Sequence, residues 1–251
     1  MTLVRAEIAI VLGSDEIASA IGRALHCAGY GVVLTDDVDP ACPLRSLSFV
    51  EAWYFGTAEL AGVAACFCSS VKSVPEVIDR QKLVAATTWS WQGLARALSP
   101  VFLIDARMAN DNGASTLRDV PGGPIVIAAG VPETDPRLPW QLDDAGAAGW
   151  VAASRDGTFH TGLRLGTEVD AGSIIGQIDA TPVRAGASGR LVALSLRGAR
   201  VHEGQLVAVL AIDHRAGRLD ELARRAQTVA DGVIGILAKN RRSRALREPV
   251  A

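Results

Sequence analysis

Apolar and polar positions alternate along this chain in two textures. The first opens with Ile8–Leu12, five consecutive apolar residues, the pattern of a parallel strand covered on both faces. Gly13-Ser14-Asp15 follows as a turn, and Ile17, Ala20, Ile21, Ala24 and Leu25 then recur at helical spacing. Gly29 closes that helix, and Gly31–Thr35 reads as a second strand running into Asp36. Further strands are predicted at Val63–Phe67, at Val101–Ile104 ahead of Asp105, and at Ile125–Ala129 ahead of Gly130. Leu83–Leu98, with Trp89, Trp91, Leu94 and Leu98, reads as a helix, and Pro121-Gly122-Gly123-Pro124 as a turn. Strands alternating with helices imply a largely parallel sheet whose ligands sit at the carboxyl ends of its strands.

From Gly166 the runs become short, β-type and glycine-punctuated. Gly166-Thr-Glu-Val169-Asp-Ala-Gly172 and Gly198-Ala-Arg-Val201-His-Glu-Gly204 share the pattern G-x-x-V-x-x-G, and each leads into an apolar strand. Two copies in this register resemble the barrel-sandwich hybrid fold of biotinyl and lipoyl carrier domains. After it, Leu219, Leu222, Ala226, Val229, Val233 and Leu237 form one face of an amphipathic helix expected to return to the body. The expected fold is therefore α/β: a Rossmann-like parallel-sheet domain over residues 1–150, a small all-β barrel-sandwich hybrid module over 151–213, and a C-terminal helix with a basic tail over 214–251.

The opening βαβ unit carries the candidate chemistry. Strand, glycine turn, helix and strand-terminal acid make a mononucleotide-binding pattern, with Gly13, Ser14, Asp36 and Gly130 as candidate cofactor-binding residues. Asp15 breaks it. A dinucleotide fingerprint has glycine there so that the backbone can approach the pyrophosphate; a carboxylate crowds and repels it. Asp15 and Glu16 stabilise a helix N-terminus by roughly 0.3–1 kcal/mol through the macrodipole, the role an anion fills elsewhere. NAD(P) binding is accordingly disfavoured, and a scaffold without dinucleotide is the leading reading. A carrier role needs a lysine on an exposed hairpin. The chain has lysine only at Lys72, Lys82 and Lys239, so the barrel can hold neither biotin nor lipoate.

Cys66 and Cys68 alternate about Phe67 and admit either a metal pair or two buried thiols; no second pair stands at ligand spacing, and no metal site is expected. His26, His160, His202 and His214 form no catalytic set with a nucleophile, so catalytic residues are not assigned.

Composition narrows the partners. A net charge of −2 with 21% charged residues argues against nucleic acid, and the cluster at Lys239, Arg241, Arg242, Arg244 and Arg247 reads as a solvated tail. No apolar run approaches the roughly 20 residues of a membrane span, and no signal peptide is evident, so a cytoplasmic protein with reduced thiols is expected.

Several segments together resemble the YqeB-type accessory proteins linked to selenium-dependent molybdenum hydroxylases. They are Val11–Ala18, Pro43–Ala52, Val74–Asp79, Ile104–Ala109 and the glycine repeat, and the likeness looks full-length. The resemblance implies a NAD(P)-binding-like domain joined to a carrier-like barrel, near molybdenum-enzyme maturation. It singles out Arg45, Ser48, Asp105 and Arg107 as ligand- or anion-binding positions. Two arginines near strand ends can hold a phosphate or carboxylate bidentately; the alternative is an ordinary salt bridge for each, such as Arg107 with Asp105. The chain departs from the family pattern at Asp15, at Gly130-Val131-Pro132-Glu133 and around Trp150–Phe159. Whether it is an enzyme is left open. Its expected role is an accessory or scaffold protein that binds a redox enzyme or its precursor, with a degenerate nucleotide site and the oligomeric state undecided. The alternative is a small NAD(P)-dependent oxidoreductase or other nucleotide- or pterin-binding enzyme.

Overall fold

The computed structural model describes residues 6–107, 125–128, 149–212 and 217–245. The chain is a mixed α/β structure with a mostly parallel sheet, two antiparallel sheets and a C-terminal helix. β1 (Ile8–Leu12), α1 (Glu16–Cys27) and β2 (Gly31–Thr35) come first. A short α2 (Glu51–Phe55) then leads into the hairpin β3 (Thr57–Leu60) and β4 (Val63–Phe67). β5 (Val84–Thr87), α3 (Trp91–Leu98), β6 (Phe102–Asp105) and β7 (Ile125–Ala128) complete the first sheet. Its order is β3-β4-β5-β2-β1-β6-β7, parallel except for the β3–β4 hairpin. The chain thus winds outward from β1 in both directions, and the order reverses there.

The five apolar residues of β1 explain its central place. Ala9 and Val11 face a core shared with α1, while Ile8, Ile10 and Leu12 face a second core with Val74, Val77 and Leu94. A strand covered on both sides has no polar alternate positions to spare.

One element differs from the sequence expectation. Leu83–Leu98 is not a single helix: Val84–Thr87 forms a fully buried strand between β2 and β4, and the helix begins at Trp91. Alanine favours helices in isolation, but burial on both faces of a sheet overrides propensity for Ala85 and Ala86. The Ser90 hydroxyl accepts the Gly93 N–H at 3.3 Å and starts α3.

The second half comprises β8 (Trp150–Ala152), β9 (Gly157–His160), β10 (Glu168–Val169), β11 (Ile174–Ile178), β12 (Thr181–Arg184), β13 (Gly189–Leu194), β14 (Arg200–Val201) and β15 (Leu206–Ala211). They form two four-stranded sheets, β10-β13-β15-β8 and β12-β11-β9-β14. No helix interrupts residues 165–210. Phe159, Ile175, Ile178, Leu191, Val207 and Leu210 fill the space these strands share. The sequence repeat has a backbone cause. Gly166, Gly172, Gly198 and Gly204 all adopt positive φ, between 80° and 92°, a region open to glycine at little cost. Their N–H groups tie the turns to other strands through the carbonyls of Leu191, Ala185, Phe159 and Ala153.

α4 (Gly217–Ala245) returns to the first sheet. Ala226, Ala230, Val233 and Leu237 are buried in the core that contains α1, and Leu222 joins a cluster with Cys42, Leu44, Val50, Ala193 and Val209. Among the described residues no helix is long and apolar enough to cross a membrane.

The segment after β2 lies along the second half. The Arg200 N–H donates to the Asp39 carbonyl at 2.8 Å and the Leu194 N–H to the Pro43 carbonyl at 3.1 Å. The Gln205 side-chain amide donates to the Ala41 carbonyl at 3.2 Å, and the Tyr54 hydroxyl to that of Pro40 at 3.0 Å.

Candidate functional site

The carboxyl ends of β1, β2, β5 and β6 converge where the strand order reverses, the place where open parallel sheets bind ligands. Gly13 leaves β1 at φ 117°, and an added Cβ would stand 3.1 Å from the Ala18 Cβ, so the turn demands glycine. Its N–H donates to the Thr35 carbonyl at 2.9 Å. Ser14 is buried and its hydroxyl donates to Asp36 Oδ2 at 2.6 Å, while Asp36 Oδ1 accepts the Asp37 N–H at 2.8 Å. Both oxygens of the strand-end carboxylate are therefore engaged within the chain.

Asp15 is the N-cap of α1. Its Oδ1 accepts the Ala18 N–H at 2.8 Å, so the chain's own carboxylate stands at the helix end where a phosphate would sit. Burial pushes the Asp15 carboxyl well above the usual carboxylate range, with Glu16 and Asp36 adding to the rise and the Ala18 N–H opposing it. Glu16 is raised by burial and partly held down by Arg225. Asp36 is raised by burial against the Ser14 hydroxyl, the Asp37 N–H and the Arg107 charge.

These shifts carry a testable sign. A carboxyl whose folded pKa exceeds its unfolded value binds more protons when folded, so its stabilising contribution is full below the unfolded carboxylate range. It is lost as the pH rises from there through the raised folded value. Asp15→Asn keeps a capping side chain and removes the buried charge. It is expected to raise the thermal midpoint at pH 7, by about 2–4 °C for each kcal/mol gained, with the gain shrinking towards pH 4. Thermal melts at both pH values, wild type beside variant, check this; a gain that grows in acid contradicts it.

The remaining sequence candidates divide into two groups. Asp105 and Arg107 belong to the strand-end group: Leu12 pairs with Asp105 across β1 and β6, and the Arg107 Cγ is among the atoms nearest a Cβ built on Gly13, at 3.7 Å. Arg107 Nε and Nη2 donate to Asp105 Oδ1 and Oδ2, both at 2.9 Å, a bidentate pair. Arg45 and Ser48 are held elsewhere. Arg45 Nε donates to Glu51 Oε1 at 2.9 Å, and its Nη2 contacts the same oxygen. Ser48 is buried, and its oxygen is approached by the Val50 N–H at 3.4 Å and the Cys42 thiol at 3.5 Å. Each arginine thus has a carboxylate of its own, the salt-bridge alternative of the sequence reading, and Ser48 is a buried corner residue. Gly130 lies outside the described residues.

Sequence reasoning missed Trp89, which it placed inside a helix. Trp89 follows β5, is 45% exposed, donates its indole N–H to the Ser69 carbonyl at 3.3 Å and accepts the Thr35 hydroxyl on its own carbonyl at 2.5 Å. The signal was Ser90, a capping residue three positions before Gly93, which starts the helix after Trp89. Cys68 is buried and Cys66 half-buried; both are free thiols. Among the described residues no group of three or more His, Cys, Asp or Glu side chains is placed to hold a metal ion.

No family model matches the chain. It is 22% identical over 202 residues to the uncharacterized protein YqeB of Escherichia coli (strain K12), a match covering 80% of this chain and 36% of that protein. The likeness is therefore not full-length on the relative's side, and the chain spans about a third of that protein's length. Among solved structures, the product-bound ectoine utilization protein EutE (DoeB) from Ruegeria pomeroyi is 15% identical, with 81% of this chain and 52% of that one covered and a TM-score of 0.23. Its apo form is 14% identical, with 82% and 60% covered and a TM-score of 0.25. A succinylglutamatedesuccinylase/aspartoacylase from Rhodobacter sphaeroides is 16% identical, with 84% and 59% covered and a TM-score of 0.23.

Proposed function

We propose that the chain is an accessory or scaffold protein of a redox-enzyme system, built as a Rossmann-like unit carrying a degenerate nucleotide site and joined to a lysine-free barrel-sandwich unit. Asp15 carries this reading. Its carboxylate caps α1 in the place of a bound phosphate, and acids already pushed towards their neutral forms leave little room for the two charges of a pyrophosphate. The strand order and the Gly13 turn support descent from a nucleotide-binding unit.

The barrel unit supports docking in place of carriage. Ile178 pairs with Thr181, so only Asp179 and Ala180 form the β11–β12 turn, and no lysine lies in the unit to bear a prosthetic group. The natural partner is a molybdenum hydroxylase-like enzyme or its precursor, a reading that rests on the family resemblance and on the kinship with the E. coli relative. The second reading, a NAD(P)-dependent oxidoreductase, is favoured by the position of Asp36 at the end of β2.

Calorimetry separates them. The unmodified chain is expected to bind NAD(H) and NADP(H) no more tightly than about 1 mM, near −4 kcal/mol. Asp15→Gly, which costs the cap only a few tenths of a kcal/mol, is expected to bring binding into the measurable range. Micromolar binding by the unmodified chain would overturn the accessory reading in favour of the enzyme.

A further inference from the structure

Asp15 closes only the phosphate end of the strand-end site. One strand further on, at the carboxyl ends of β2 and β5, the edge has a different character. Thr35 pairs with Thr87, the Asp36 N–H donates to the Thr87 carbonyl at 3.2 Å, and Trp89 stands two residues beyond Thr87. The Trp89 backbone is fixed by the Thr35 hydroxyl and the indole edge by the Ser69 carbonyl. A ring held at its edge and nearly half open to solvent is prepared for stacking and has no packing role to explain it. Val38, 59% exposed, adds an apolar surface two residues after Asp36. An aromatic platform beside a carboxylate at the end of β2 meets the two demands of a nucleoside: a π-face for the base, and an acceptor for sugar hydroxyls.

We propose that this edge binds an unphosphorylated ribonucleoside, the base stacked on Trp89 and the ribose hydroxyls donating to Asp36. The proposal rests on the degenerate-loop reading, because Asp15 and Glu16 are what exclude the phosphates. Asp36 keeps acceptor capacity for this role: a carboxylate offers about four lone-pair sites, and Ser14 and the Asp37 N–H engage one each. The surrounding charges favour the same class of ligand. Asp15, Glu16 and Asp37 border the edge, and the positive charge of Arg107 is matched by Asp105. A neutral nucleoside enters without repulsion, whereas each phosphate adds to it.

Adenosine, guanosine, cytidine and uridine, with AMP and NAD as charged counterparts, are titrated into the full chain by calorimetry. At least one nucleoside is expected to bind below millimolar, with its monophosphate at least about tenfold weaker. Trp89→Ala is expected to lose about tenfold or more, and Trp89→Phe to keep binding within a few-fold, both melting near the wild-type temperature. The 2′-deoxy form of the bound nucleoside is expected to bind about tenfold more weakly through the lost hydroxyl. Silence of all four nucleosides at millimolar concentration overturns the proposal, and if AMP and NAD are silent too the degenerate-loop reading stands. AMP or NAD binding more tightly than the nucleosides overturns both. Nucleoside binding unchanged by Trp89→Ala overturns the assignment to this edge.

Discussion

Phe159→Ala is expected to destabilise the second half of the molecule by about 3–5 kcal/mol. The ring is fully buried at the centre of the cluster formed by Val151, Ile178, Leu191, Val207 and Leu210. Its fit is close. A Cβ placed on Gly176 would stand 2.6 Å from the Phe159 Cε2, so the strand across from it has been reduced to glycine to admit the ring. The backbone of Phe159 is also engaged at both groups, donating to the Ala199 carbonyl at 2.8 Å and accepting from the Gly198 N–H at 2.8 Å. The positions of these neighbours are set by the sheets, so the cavity cannot readily collapse. Small units of this size have only a few kcal/mol in reserve. Urea denaturation should show the transition of this half moved to markedly lower denaturant, with Phe159→Leu between it and wild type. A loss below about 1 kcal/mol would show that the ring is not the organising residue of this core.

A charge at the α1–α4 contact is expected to be as damaging. Val233 is 3% exposed and lies in the same core as Ala230, Leu237 and the α1 residues Ile17 and Ile21. Val233→Asp places a carboxylate there, and an uncompensated buried charge costs about 3–5 kcal/mol. The internal control is three residues away on the open face: Ile236 is 45% exposed, and Ile236→Asp is expected to change stability by no more than about 0.5 kcal/mol. Thermal or urea denaturation of the pair gives the comparison. Equal losses at both positions would mean that α4 contributes helix content and not a packed face.

What the sequence made legible follows from which interactions are local. β1 and α1 were readable because the strand is apolar throughout and the helix presents a regular apolar stripe behind a capping acid. The glycine repeat was readable because a positive φ at four equivalent turns restricts residue choice at each of them. β5 was not readable: Val-Ala-Ala-Thr carries no alternation, and only its place between β2 and β4 makes it a strand. β3 went unread for a related reason, being a short edge strand paired only with β4. The site was legible in part. Gly13, Ser14, Asp36, Asp105 and Arg107 are brought to one edge, whereas Arg45 meets Glu51 six residues on, across the corner before α2, a spacing no helical rule anticipates. The Ser14–Asp36 hydrogen bond joins residues 22 apart, and the loop position of Trp89 depends on β5; both are tertiary facts.

The segment that follows Asp36 has a consequence for the order of events during synthesis. Its carbonyls at Asp39, Ala41 and Pro43 are met by Arg200, Gln205 and Leu194, and Ala41 waits 164 residues for its partner. Chains emerge from the N-terminus, and contacts of such sequence separation form late because the intervening loop must close first. The first sheet can therefore assemble on the ribosome while the stretch beside its ligand edge still has exposed, unpaired carbonyls. That stretch is seated only after β13 and β14 have been made and folded. A ribosome stalled before Arg200 presents the strands, the Gly13 turn and Asp36 with their border unfinished, which places maturation of the ligand edge among the last steps of folding.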